Sequence, residues 1–187
     1  MWVLIVIGVL PFLAVLIIFN SLVAKNNQIK NIFGTLDALL KKRYDLLPNL
    51  VSTVKGYMQH ERSLLEEVTE LRAKAVSPAA SGPGQPAIGF DTAITGLLSK
   101  IMVSVENYPQ LKANENFLHL QHTLVELEEQ ISAARRAYNA SVIDYNNTVQ
   151  MFPSNIVASL FHYKTKLLFE ARGHERKNVH VPRMIDL

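Results

Sequence analysis

From Trp2 to Phe19 the chain runs through eighteen residues without one charged side chain, and the first cation after them is Lys25. At 1.5 Å per residue such a run covers about 27 Å as a helix, close to the roughly 30 Å of a hydrocarbon core. Only two structures suit a segment of this kind near a chain start: a membrane-spanning helix or a cleaved leader. A leader calls for a basic beginning and a small-x-small cleavage site. This chain opens Met1-Trp2-Val3-Leu4-Ile5 and continues Phe19-Asn20-Ser21-Leu22-Val23-Ala24, so a retained anchor over residues 1–20 is expected. Trp2, Pro11, Phe12 and Phe19 are its expected bilayer contacts, with Trp2 placed as an interfacial aromatic and Pro11 tolerable because its neighbours can absorb a lost hydrogen bond.

Lys25, Lys30, Lys41, Lys42 and Arg43 all follow the apolar run. By the positive-inside rule the part after the anchor is expected on the cytoplasmic side of a single-pass protein. That part is long enough for one domain with a core of its own. No cysteine is present, which excludes disulfides, thiolate metal sites and thiol catalysis. The net charge of +3 sits at the two ends: residues 20–62 carry seven Lys/Arg against three Asp/Glu and residues 151–187 six against three, while 77–150 carry four against seven. This is no continuous basic stripe, and nucleic acid is not an expected partner.

After the anchor the apolar positions step by three and four, the period of helices with one buried stripe. Leu22, Ile29, Phe33, Leu36, Leu40 and Leu47 mark the first, with a break expected near Tyr44. Asp45 is then a candidate N-cap for a second helix that carries Pro48 in its first turn and Leu50, Val54, Tyr57, Glu61, Leu64, Val68, Leu71 and Ala75 on its stripe, ending at Pro78. Residues 77–89, rich in Pro, Gly and Ser, read as a loop. Phe90, Ile94, Leu97, Ile101, Val105 and Tyr108 mark a third helix up to Pro109. Asn114 is a candidate N-cap for the fourth, whose stripe runs from Phe117 to Phe152. No segment after the anchor alternates with the period of a strand. The expected fold is all-α: a transmembrane helix, an antiparallel four-helix bundle over 21–153, an amphipathic C-terminal helix over 154–171 and a basic tail over 172–187.

In an up-down bundle the fourth helix returns to the bilayer, so Phe152-Pro153 is expected near the lipid surface. The segment that follows combines apolar and aromatic side chains with a basic flank, and Phe161, Lys164, Lys166, Leu168, Phe169, Arg172 and Lys177 are candidate membrane-surface contacts. The same amphipathic character would also serve to cover the end of the bundle.

Glu115, His119, His122 and Glu126, at i, i+4, i+7 and i+11, could face a metal ion, but they fall outside the stripe set by Phe117, Leu120 and Leu124 and read as a solvated face. His60-Glu61 and His174-Glu175 begin like a metalloprotease motif and lack its second histidine. Asn139-Ala140-Ser141 and Asn146-Asn147-Thr148 match the glycosylation pattern inside a predicted helix. Asn26, Arg43, Asp45, Asn49, Glu61, Glu128, Arg135, Arg136, Asn139 and Asn146 lie at or beside the seams. If buried together they must pair, either as an internal network that fixes register or as the lining of a partner groove. No catalytic residue, metal ligand, cofactor or small-molecule substrate follows from these patterns.

The run Arg43-Tyr44-Asp45-Leu46-Leu47-Pro48-Asn49-Leu50-Val51-Ser52-Thr53-Val54-Lys55-Gly56-Tyr57, then His60-Glu61, resembles the signature of LemA proteins. Two further blocks agree: Tyr108-Pro109 through Leu111-Lys112-Ala113-Asn114-Glu115-Asn116-Phe117 to Glu128, Ala134-Arg135-Arg136, Tyr138-Asn139 and Tyr145-Asn146; and Phe152-Pro153-Ser154-Asn155 through Leu160-Phe161 to Phe169-Glu170-Ala171. The family's proline-containing turn before Phe-Glu-Ala is replaced by Lys164-Thr165-Lys166-Leu167-Leu168, which predicts a more helical stretch. The resemblance implies a single-span bacterial inner-membrane protein with a helical bundle and no enzymatic activity. It also implies one of two roles. The first is a self-associating, membrane-shaping scaffold, as for a magnetosome-membrane relative. The alternative is an accessory subunit of another membrane protein, such as the HtpX-type proteases whose genes neighbour those of LemA proteins.

Overall fold

The computed structural model describes the backbone of residues 2–76 and 88–169, and among these the ordered elements are all helical. Helix α1 spans Trp2–Lys55, α2 Arg62–Val76, α3 Ile88–Val105, α4 Pro109–Lys112, α5 Glu115–Gln150 and α6 Ser154–Leu160, with a single 3₁₀ turn at Gln59–Glu61. The loop expected over 77–89 lies mostly outside the described residues, and its last two positions begin α3.

The break expected near Tyr44 does not occur: α1 continues through Pro48 to Lys55. A proline inside a helix removes one donor and orphans the carbonyl four residues earlier, here that of Tyr44. Arg72 Nε, from α2, donates to that carbonyl at 3.0 Å. With the orphan satisfied, the buried stripe of Leu36, Leu40, Arg43, Leu47, Leu50 and Val54 keeps its helical step across the site. The chain turns at Gly56–Met58, where Tyr57 and Met58 N–H groups both reach the Val54 carbonyl and Met58 is fully buried. Asn114 caps α5 as expected, its Oδ1 accepting from Phe117 N–H at 3.0 Å.

Helices α1 and α5 form the spine. As the position on α1 rises through Lys25, Phe33 and Arg43, the position met on α5 falls through Asp144, Tyr138 and Glu128, and Tyr57 just past the end of α1 meets Asn114 at the cap of α5, so the two run antiparallel in one register. Residues 20–55 of α1 and the 36 residues of α5 are each about 54 Å long. Helix α2 returns along α1, and α3 packs on α2. The shared core is aliphatic and aromatic, with Leu22, Leu36, Leu47, Leu50, Ile94, Ile101, Phe117, Ile131 and Tyr145 all but inaccessible. Each such side chain stabilises the fold by about 1.5–3 kcal/mol relative to exposure.

Toward its N-terminus α1 leaves this core. Val9, Leu10, Phe12, Leu13, Leu16 and Ile17 are all exposed, and α1 is the one helix among the described residues that is long and apolar enough to cross a membrane.

The C-terminal helix is shorter than expected: α6 ends at Leu160, and residues 163–169 are extended rather than helical. His162 adopts the left-handed conformation (φ 58°), Tyr163 N–H reaches the Ala158 carbonyl at 2.9 Å and His162 N–H the Ser159 carbonyl at 3.2 Å. This paired closure is the arrangement by which helices end on a left-handed residue. It turns the chain back along α5 as a strap.

Candidate functional site

Five of the ten polar residues that the periodicity puts in the seams, Arg43, Glu128, Arg135, Asn139 and Asn146, are gathered into two sites, joined by Arg135. The first is a buried charge cluster midway along the bundle. Arg43, 3% exposed, projects from α1 between α3 and α5. Its Nη1 lies 2.9 Å from Asp91 Oδ1, its Nη2 donates to Thr95 Oγ1 at 2.8 Å, and Glu128 Oε2 stands 2.9 Å from Nη1 as an ion pair without a directed hydrogen bond. The second oxygen of Asp91 receives Arg135 Nη2. Asp91, in the first turn of α3 and 1% exposed, is thus held by guanidinium groups from two other helices.

Burial pushes the Asp91 carboxyl above its usual range, and Arg135 and Arg43 pull against that rise. Beside it, burial and then the Asp91 charge push the Tyr44 phenol up to about 12, and its hydroxyl has no hydrogen-bond partner among the described residues. An unpaired charge in such a place costs several kcal/mol, so the members of the cluster stand or fall together.

The second site holds the strap. Asn146 Oδ1 accepts from Lys166 N–H and its Nδ2 donates to the Lys166 carbonyl, both at 2.8 Å. Two helical turns earlier, Asn139 Oδ1 accepts from Phe169 N–H at 2.7 Å and its Nδ2 donates to the Phe169 carbonyl at 3.0 Å. Seven residues of helix rise about 10.5 Å and three residues of extended chain cover about 10 Å, so the two spacings match. Tyr145 Oη donates to the Lys164 carbonyl at 3.0 Å, and Lys166 Nζ lies over the Tyr145 ring at 5.7 Å. Burial, aided by the nearby Lys30 charge, lowers the Lys166 pKa. Phe169 is 6% exposed, with the Arg135 guanidinium 5.2 Å from its ring centre. Arg135 therefore faces Asp91 with one nitrogen and the strap with its π-stacking face.

Of the candidate membrane-surface residues, Phe161, Lys164 and Leu168 are exposed and Lys166 is half-buried. Phe169, expected at the membrane surface, is instead buried against the bundle, with its backbone held by the Asn139 amide and its ring under Arg135. Arg172 and Lys177 lie outside the described residues. In the anchor, Pro11 and Phe12 are exposed, Phe19 is half-buried, and Trp2 begins α1.

The remaining seam residues are less deeply placed. Asp45 is exposed and 4.0 Å from Arg72, Asn49 is exposed, Asn26 and Glu61 are half-buried, and exposed Arg136 donates to Ser132 Oγ. Glu115, His119, His122 and Glu126 are all exposed on α5, with His122 and Glu126 3.6 Å apart.

Asp91 is the residue that reading by stripe misses. Its signal was present: it precedes Ile94 by three positions and Leu98 by seven, on the same buried face. Both asparagines of the glycosylation-like triplets are committed to the strap through their amides.

Sequence similarity to known proteins extends over most of this chain. The model of the LemA family matches residues 32–182. Magnetosome protein MamQ 2 of Paramagnetospirillum magneticum is 23% identical over 191 residues, covering 89% of this chain and 70% of that protein. Protein LemA of Metamycoplasma hominis is 26% identical over 160 residues, covering 86% and 72%. Magnetosome protein MamQ of Magnetospirillum gryphiswaldense is 21% identical over 183 residues, covering 85% and 67%. With the family's pattern spanning the bundle, both polar sites and the strap, this chain belongs to the LemA family.

Proposed function

We propose that this protein is a non-enzymatic scaffold, held in the bacterial inner membrane by the apolar start of α1, with its bundle on the cytoplasmic side and self-associating there. The observation that carries this reading is the continuity of α1. One helix runs without interruption from the exposed apolar stretch around Phe12 into the core around Leu50. A rod of this kind ties the orientation of the bundle to that of the anchor, which is what a structural element at a membrane needs and a tethered enzyme does not. Pairing of charge inside the bundle supports the same view, since Asp91 is held by both Arg43 and Arg135 from two other helices.

Exposed apolar side chains on the bundle, Val103, Leu118, Val125 and Ile143, support self-association. Phe161, Lys164, Lys166 and Leu168, with Arg172 and Lys177 beyond the strap, would meet lipid headgroups. The likeness to magnetosome proteins supports a place among proteins of a cellular structure rather than of a metabolic reaction.

An accessory role beside another membrane protein is favoured by one feature. A cleft of about 820 Å³ between the end of α1 and α2 has an apolar floor of Val51, Met58 and Leu65 and a rim of Lys55, Arg62, Glu66 and Glu70, a lining suited to a partner helix. Crosslinking in intact membranes, read by mass spectrometry, separates the two. Links between copies of this chain are expected. Links to one other membrane protein in near-equal amount, without self-links, would replace the scaffold by the accessory reading.

A further inference from the structure

The turn between α5 and α6 exposes more large apolar surface than its position on a folded domain explains. Met151 is 62% exposed, Phe152 80%, Ile156 60% and Leu160 67%. Helix α6 buries Val157 and Ala158 against α1 and α5, which leaves Ile156 and Leu160, four residues apart, together on its outer side.

The height of this corner along α1 is fixed by two sets of contacts. Lys25 pairs with Asp144, and from there both helices continue six residues, about 9 Å, to Phe19 on one and Gln150 on the other. Just beyond, the Phe161 and Tyr163 rings stand 4.6 and 6.3 Å from that of Phe19. Phe19 is the last residue of the apolar run that opens at Trp2, with polar Asn20 and Ser21 next, so the corner lies where α1 would emerge from lipid. From Met151 to Phe169 there is no acidic residue, while Lys164 and Lys166 are basic. A bilayer with anionic headgroups suits this combination of apolar tip and cationic flank.

We infer that Met151, Phe152, Ile156 and Leu160 form a second lipid contact, a wedge seated in the headgroup and upper acyl region of the same bilayer that α1 crosses. The inference rests on the membrane-anchored reading above. It adds a specific consequence: with α1 as one attachment and the α5–α6 corner as another, the bundle axis is held against the membrane instead of swinging about a single helix.

The chain has no native cysteine, so single cysteines can carry an environment-sensitive fluorophore on the full-length protein. Four sites suffice, each reconstituted in vesicles of phosphatidylcholine and phosphatidylglycerol containing nitroxide-labelled lipid: Phe12→Cys in the span, Phe152→Cys and Ile156→Cys at the corner, and Val103→Cys. Val103, 72% exposed, lies beside Glu61 and Leu64 at the opposite end of the bundle.

The expected result is strong quenching at 152 and 156 by nitroxide near the headgroup, quenching at 12 by nitroxide deep in the acyl chain, and several-fold less at 103. If 12 is quenched while 152 and 156 behave like 103, the wedge is overturned and the anchor stands. If 12 is also unquenched, the anchored reading falls with it. If labels at 152 quench one another between copies and lipid nitroxide does not reach them, a second copy covers the corner and the wedge is again overturned.

Discussion

The charge cluster at Asp91 and the strap clamp at Asn139 and Asn146 lie on opposite sides of Arg135 and hold the chain by different physics. In the cluster, three helices are joined by ionised groups taken out of water, so each member depends on the charge of the others. In the clamp, two neutral amides bind only the backbone of the strap, each giving one hydrogen bond and accepting another. The first arrangement specifies which residues meet. The second specifies where an extended chain sits, whatever its side chains at the bonded positions, and leaves Phe169 to fix the register by filling the space beneath Arg135.

The contrast can be broken most severely at Asp91. Asp91→Ala leaves Arg43 and Arg135 without their shared counter-charge, and a loss of about 3–5 kcal/mol is expected in denaturant unfolding. A loss below about 1 kcal/mol would mean that Glu128 alone neutralises the site.

At the clamp the effects are smaller and separable. Asn139→Ala and Asn146→Ala should each cost about 1–2 kcal/mol and raise tryptic cutting after Lys164 and Lys166 about tenfold, with helical circular dichroism preserved. Unchanged proteolysis would show that Phe169 and Tyr145 hold the strap without the amides.

Arg72 combines the two modes, a charged group bound to a backbone carbonyl. Arg72→Ala is expected to cost about 1 kcal/mol by exposing the Tyr44 carbonyl that Pro48 orphans. Adding Pro48→Ala restores a local donor, so the double variant should be the more stable of the two by thermal unfolding.

Coupling between the sites is measurable through Arg135. A double-mutant cycle of Asp91→Asn with Phe169→Leu should give about 0.5–1 kcal/mol, whereas Asp91→Asn with Asn146→Ala should be additive.

The smallest change at neutral pH is Tyr44→Phe, because the buried hydroxyl has no partner to lose among the described residues. Its effect appears in alkali. The folded Tyr44 resists ionisation up to about 12 while the unfolded residue ionises near its usual 10.0. The native protein is therefore fully stable with respect to this group below pH 10 and loses about 2 kcal/mol as pH rises through 12, a loss that Tyr44→Phe should remove. Equal alkaline slopes for the two proteins would place the sensitivity at Tyr138 or Tyr145, whose phenols burial also raises.

Much of the fold was legible one residue at a time. The period of three and four from Leu22 to Val149 follows from helical geometry, the cap at Asn114 from a local side-chain bond, and the apolar start from transfer of the chain out of water. The sites were legible only as a requirement: Arg43, Glu128, Arg135, Asn139 and Asn146 sit at seams and need partners, but nothing local names them. Asp91 was hidden because an acid in the first turn of a helix also suits a solvent-facing position.

Sequence alone thus determined the helical class, the charge-free N-terminal rod and the polar groups that burial would force to pair. The tertiary structure decided which pairs form. Arg72 from another helix keeps α1 whole across Pro48, two guanidiniums converge on Asp91, and two amides draw residues 163–169 out of helix into a strap. Each decision is a buried donor or acceptor satisfied by a group far away in the chain, and periodicity carries no information about partners at that distance.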